Sequence, residues 1–197
     1  MMLFQFLRPF AALLGLFLLA GCASFNLGTA AQVRGLDYLN DDLASVVLAF
    51  DVPVTIEPIP DASLFRLDIV APGRGERHLA PVLVRGDATA AAGTLRPPAD
   101  GRTYYLFAFS EADKQALREA QAWARGLAGD PPQPRIALEP RFCSTALHAD
   151  PRETRISVLV ALPGTGAMAP LVDDVRVADL LSGTGSSSLP ACAGHSG

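Results

Sequence analysis

The chain is short of charge, and lysine is nearly missing. Only 18% of its 197 residues are Asp, Glu, Lys or Arg, against the usual quarter or so. Lys114 is the sole lysine, and fifteen arginines are spread along the sequence with a net charge of −4. A nucleic-acid surface needs positive charge gathered on one face, so nucleic acid is excluded as a partner. Catalytic constellations are missing too. Ser144 sits in no Gly-x-Ser-x-Gly elbow. Cys143, His148 and Asp150 supply the residue types of a nucleophile, a base and an orienting group, but they crowd one stretch, whereas triad members come from separate elements. The glycine-rich runs Ala71 to Arg77 and Leu162 to Gly166 lack the Lys-Ser/Thr ending of a phosphate loop and open no helix, so they read as hairpin loops. Asp173, Asp174 and Asp179 lack calcium-loop spacing and read as a solvated acidic edge. The expectation is a non-enzymatic protein with no cofactor.

What the first 22 residues contain is more specific. A single positive charge, Arg8, precedes an uncharged apolar run from Pro9 to Ala20, the layout of a secretory signal. As a helix that run would span about 18 Å, short of the ~30 Å hydrocarbon core, so it suits export better than permanent anchorage. Its end, Leu19-Ala20-Gly21-Cys22, resembles the lipobox of bacterial lipoproteins, in which small residues precede a cysteine that becomes the lipidated N-terminus. The resemblance covers the leader alone. It implies cleavage before Cys22, acyl lipid such as palmitate on that cysteine, and attachment to a membrane. Ala23-Ser24 follow the cysteine where an Asp would favour inner-membrane retention, which implies the periplasmic face of the outer membrane.

Removing 21 residues from 197 leaves 176, enough for one domain with a real core. Residues 22–40 read as a lipidated tether, 41–181 as the folded domain, and 182–197, rich in Gly and Ser, as a flexible tail with too little apolar surface to offset ordering. Between Ser45 and Val52, Val46, Leu48, Phe50 and Val52 share a face. Phe65, Leu67 and Ile69 alternate with Arg66 and Asp68 in the next segment. Further strands are expected over Leu79 to Val84, Thr103 to Phe109, Arg135 to Cys143, Thr154 to Leu162 and Leu171 to Val177. In the aromatic run, alternation buries Tyr105, Phe107 and Phe109 and turns Tyr104 outward.

One helix interrupts this series near 110–128. Ser110 caps it with Asp113 at the third helical position. Ala112, Ala116, Leu117, Ala120, Trp123, Ala124 and Leu127 recur at helical spacing, and Gly129 with the following prolines stops it. Trp123 lies on the stripe that docks the helix. Short strands with one late helix predict a mainly β protein, an immunoglobulin-like two-sheet sandwich, with a helix on one antiparallel sheet (α+β) as the alternative.

After Cys22 only Cys143 and Cys192 remain. An even pair in an oxidising compartment predicts a disulfide that pins the tail. The competing reading uses the same atoms as ligands: Cys143 with His148, and Cys192 with His195, for zinc or copper. The loop Cys143-Ser-Thr-Ala-Leu-His148 also resembles the ligand loop of cupredoxins, which implies a copper redox site completed by His78. It departs from that family where the axial methionine belongs: Asp150, Pro151 and Arg152 follow, and Met168 is remote. The sequence therefore points to an envelope lipoprotein, a binding or structural module held by its lipid and meeting an envelope protein partner, with a metal-binding or copper protein as the alternative.

Overall fold

The computed structural model describes residues 37–85, 94–127, 129, 132–146, 149–164, 167–181 and 188–192. The order of elements is β1 (Val47–Pro53), β2 (Ile56–Pro58), β3 (Leu64–Ala71), β4 (Gly75–Leu79), β5 (Leu83–Arg85), β6 (Arg102–Phe109), α1 (Glu111–Arg125), β7 (Gln133–Glu139), β8 (Phe142–Ser144), β9 (Arg155–Ala161), β10 (Met168–Arg176) and α2 (Val177–Leu180). The protein is mainly β, its strands pair antiparallel, and its sheets are open instead of closed into a barrel.

Five strands form the largest sheet in the order β10-β9-β1-β6-β5; β4-β3-β7 form a second and β2-β8 a third. Central β1 is covered on both faces. Leu48, Phe50 and Val52 are buried, as their alternation predicts, and so is Ala49 on the opposite face. Phe50 meets Phe107 edge-on at 5.5 Å and Phe142 at 6.1 Å, a geometry that sets ring edges against π-faces. In β3, Leu67, Ile69 and Ala71 are buried while Arg66 points out to Glu139 across the β3–β7 pair. Arg102 ties three strands of the large sheet. Its Nε donates to Asp51 Oδ1 at 2.8 Å, Nη2 to the Asp51 carbonyl at 2.8 Å and Nη1 to the Arg155 carbonyl at 3.2 Å.

Helix α1 starts as its sequence requires. Ser110 Oγ accepts from the Asp113 amide at 3.2 Å and donates to Asp113 Oδ2 at 2.6 Å; the same carboxylate oxygen accepts from the Val82 amide at 3.0 Å. Leu117, Ala120, Gln121 and Ala124 form its buried face. Trp123 docks the helix on β4: its ring lies 3.7 Å from where a Cβ on Gly75 would stand, and the Arg77 guanidinium covers it at 5.2 Å. Gly75 also has φ +115°, so this position needs glycine for its backbone as well as for the ring.

Several boundaries differ from expectation, each for a local reason. The Leu79 to Val84 strand is two strands, because Pro81 has no N–H to continue a ladder; β4 ends at Leu79 and β5 begins at Leu83. The Arg135 to Cys143 strand is likewise broken at Pro140-Arg141 into β7 and β8, which belong to different sheets. β2 was not expected; it is three residues long and, among the described residues, pairs only with β8. β10 starts at Met168, three residues early, and is bulged between Pro170 and Val175, where Asp174 takes φ 49°. Helix α1 ends at Arg125 with Gly126 as its C-cap, so Leu127 lies beyond it, and Ala112 is exposed. Tyr105 is only half-buried, like Tyr104; Arg85 lies 5.0 Å over its ring.

The end of the chain is anchored where it is described. Ser144 donates its amide to the Pro190 carbonyl at 2.8 Å and accepts from the Cys192 amide at 2.9 Å. The sulfurs of Cys143 and Cys192 stand at disulfide distance, 2.10 Å. Pro190–Cys192, which composition places in a flexible tail, thus lie along β8.

Candidate apolar binding site

A cavity of about 800 Å³ lies among the two larger sheets and the helices. From the five-stranded sheet come Leu48 of β1, Phe109 of β6, Val158 and Val160 of β9, and Leu171 and Val172 of β10. From the other sheet come Phe65 and Leu67 of β3 and Pro134, Ile136, Ala137 and Leu138 of β7. Phe65 and Phe109 meet across it with ring centroids 5.0 Å apart, joining the two sheets at one end. Leu117 of α1, Leu180 of α2 and the segment carrying Tyr38, Leu43 and Val46 complete the wall.

The strands that frame the cavity are sheet edges. Among the described residues, β7 pairs only with β3, and β10 only with β9. Each carries a proline, Pro134 and Pro170, which an edge tolerates because no ladder N–H is lost there. Pro134, Ile136 and Leu138 alternate along β7 and face the cavity; Ile136 remains 48% exposed. The chain enters the fold beside the cavity too. Gln121, 3% exposed, donates to the carbonyls of Tyr38 at 2.8 Å and Asp41 at 2.7 Å, and Arg125 donates to the Leu39 carbonyl at 2.5 Å.

Among the described residues, no charged or amide side chain lines this space, and the one polar side-chain group is the Tyr38 hydroxyl. Burial, with Asp37 adding to it, raises the Tyr38 pKa above its ordinary value, so the wall is uncharged at neutral pH. Protein interiors hold few voids larger than a water molecule. This space is partly open to solvent, as the 48% exposure of Ile136 on its wall shows, so it is an accessible apolar pocket instead of a sealed void. Ordered water needs two to four polar partners, and the described side chains of this wall offer few; an apolar ligand needs none. The volume falls within the ~300–1,000 Å³ of small-molecule sites.

The residues singled out in the sequence lie elsewhere. Cys143 and Cys192 are buried and bonded, with Cys143 Sγ 3.6 Å from the Glu57 carbonyl. Among the described residues the potential ligands gathered there are Glu57, Cys143 and Cys192, without His78. Bonded sulfurs present no thiolate, the form that ligates metal. His78 is exposed on β4, where its Nδ1 lies 2.7 Å from Asp68 and its Nε2 3.1 Å from Glu76. Hydrogen bonding to Asp68, then to Glu76, raises its pKa above the ordinary 6.5. Asp150 caps a turn, accepting from the Arg152 amide at 2.8 Å. Asp173 accepts from Ser157 at 3.1 Å, Asp174 pairs with Arg155 at 2.9 Å and Asp179 with Arg176 at 2.9 Å. Met168 opens β10. Cys22, His148 and His195 lie outside the described residues.

Sequence reasoning missed the cavity because it is made by two sheets whose separation no single segment encodes. A local trace is β7, where Pro134, Ile136 and Leu138 form an apolar stripe on an edge strand that also carries Gln133, Arg135 and Glu139. Among the described residues, no helix is long and apolar enough to cross a membrane. Comparison with protein-family models, curated proteins and solved structures finds no match to the chain.

Proposed function

We propose that this protein is a non-enzymatic envelope lipoprotein, held through Cys22 on the periplasmic face of the outer membrane, whose binding element is the apolar cavity. The observation that carries the binding role is the uncharged wall of a space too large to be a packing defect. The tether rests on the lipobox-like Leu19-Ala20-Gly21-Cys22. A cavity wall drawn from both larger sheets, with Phe65 against Phe109, supports the two-layer sandwich; an immunoglobulin-like arrangement is the finer form of that reading. An envelope protein partner would approach a protein already fixed at its membrane, and the cavity is where a bound ligand would alter what that partner meets. The bonded state of Cys143 and Cys192 favours binding over thiolate-metal chemistry.

The test uses the whole chain with Cys22→Ser, so that no lipid of its own is attached, and the fluorescence of Nile red. Saturable binding at one equivalent is expected. Ile136→Asp places a hydrated carboxylate on the cavity wall and should weaken binding about tenfold or more, because an apolar ligand seated against it would strip its water without replacing it. Val54→Asp, at a residue 56% exposed and outside the cavity, should leave binding unchanged. Equal binding by all three proteins would sink the proposal.

A further inference from the structure

Resting on the reading of the cavity as a binding site, we infer that its ligand is a single acyl chain of a membrane lipid, a fatty acid or lysophospholipid, with the head group left outside. Three observations lead there. Among the described residues, the wall offers no charged or amide side chain to recognise a head group, and its only polar side-chain group is the Tyr38 hydroxyl. A hydrocarbon chain brings no group that needs a polar partner in such a wall.

The second observation is shape. Its lining residues run along two strands: Val158, Val160 and Leu162 on β9 and just past its end, and Pro134, Ile136, Ala137, Leu138 and Pro140 on β7 and just past its end. At ~3.3 Å per residue these runs cover about 13 to 20 Å. Half of a ~30 Å hydrocarbon core, the reach of one acyl chain, is about 15 Å. A compact aromatic ligand would leave most of that length unfilled. The third is volume: 800 Å³ is within the range of sites that enclose one small ligand.

The acyl groups attached to Cys22 are of the same chemistry but are not the occupant. Cys22 lies sixteen residues before Tyr38 in the sequence, so the chain could reach the cavity, but an acyl group sequestered there would be withdrawn from the bilayer it is meant to hold.

Native mass spectrometry of the mature, lipidated protein released from detergent, after incubation with palmitoyl lysophospholipid or palmitate, tests this. One adduct per chain is expected, saturating at one. Ile136→Asp should reduce occupancy about tenfold, and Ile136→Trp, which fills the space while keeping it apolar, should do the same; Val54→Asp should keep the adduct. Circular dichroism of each variant checks that it is folded. No adduct on the wild-type protein, or equal adducts on all variants, would overturn the inference. An adduct that forms on Cys22→Ser and not on the lipidated protein would also overturn it, by showing that the cavity holds the protein's own lipid. Nile red uptake without lysophospholipid or palmitate uptake would reject the acyl chain and leave the binding site standing, whereas failure of both probes would reject the site itself.

Discussion

Replacing Cys143 and Cys192 together by alanine should cost about 4 kcal/mol. The bond joins residues 49 apart in sequence, and closing a loop of about 50 residues removes roughly 14 cal/mol/K from the unfolded chain, or about 4 kcal/mol at 25 °C. The full loss appears only if the Leu189–Cys192 segment stays on β8 when the bond is gone. Its attachment then rests on the two backbone hydrogen bonds at Ser144. Urea unfolding followed by Trp123 fluorescence measures the effect. With an m-value of ~2 kcal/mol/M, the midpoint should fall by about 2 M, and the melting temperature by about 8–16 °C. Dithiothreitol should shift the wild-type protein to the same midpoint and leave the double variant unmoved. A loss below about 1 kcal/mol would refute the reasoning, because it would mean that the native chain sheds its end once the bond is broken and recovers most of the entropy.

Two further perturbations have calculable signs. Ser110→Ala removes the acceptor for the Asp113 amide and the hydroxyl that positions Asp113 toward Val82; a loss of about 1 kcal/mol is expected in urea unfolding, and an unchanged midpoint would deny the cap its role. His78 should titrate by NMR above 6.5, and Asp68→Asn, which removes the first of the two carboxylates holding its proton, should bring the midpoint down. Because its folded pKa is raised, the stabilisation from His78 is fully present below the unfolded pKa near 6.5 and is lost as pH rises through the folded value. A midpoint unaffected by Asp68→Asn would contradict that assignment.

Local rules made much of the fold legible. Alternation in Leu48, Phe50 and Val52 marked the buried face of β1, and Ser110 with Asp113 marked the start of α1, because in both cases a period or a cap is written in neighbouring residues. The pairing of Cys143 with Cys192 followed from the count of cysteines left after Cys22. Strand ends were less legible: Pro81 and Pro140 each divide an apolar run that looked continuous, and their missing N–H groups outweighed the pattern around them. The helix stopped at Gly126 instead of Gly129 because glycine there served as the cap. The cavity was illegible for a different reason. Val158 on β9 and Ile136 on β7 look like ordinary strand residues, and the space between them exists only once two sheets, two edges and a helix are placed together.

Lipid tethering is best tested by the intact mass of the protein isolated from its own membranes without reductant. The expected species begins at Cys22, carries acyl lipid on that residue and is two hydrogens lighter than its dithiol form. A chain that retains residues 1–21, or one that begins at Cys22 without added lipid, would contradict it.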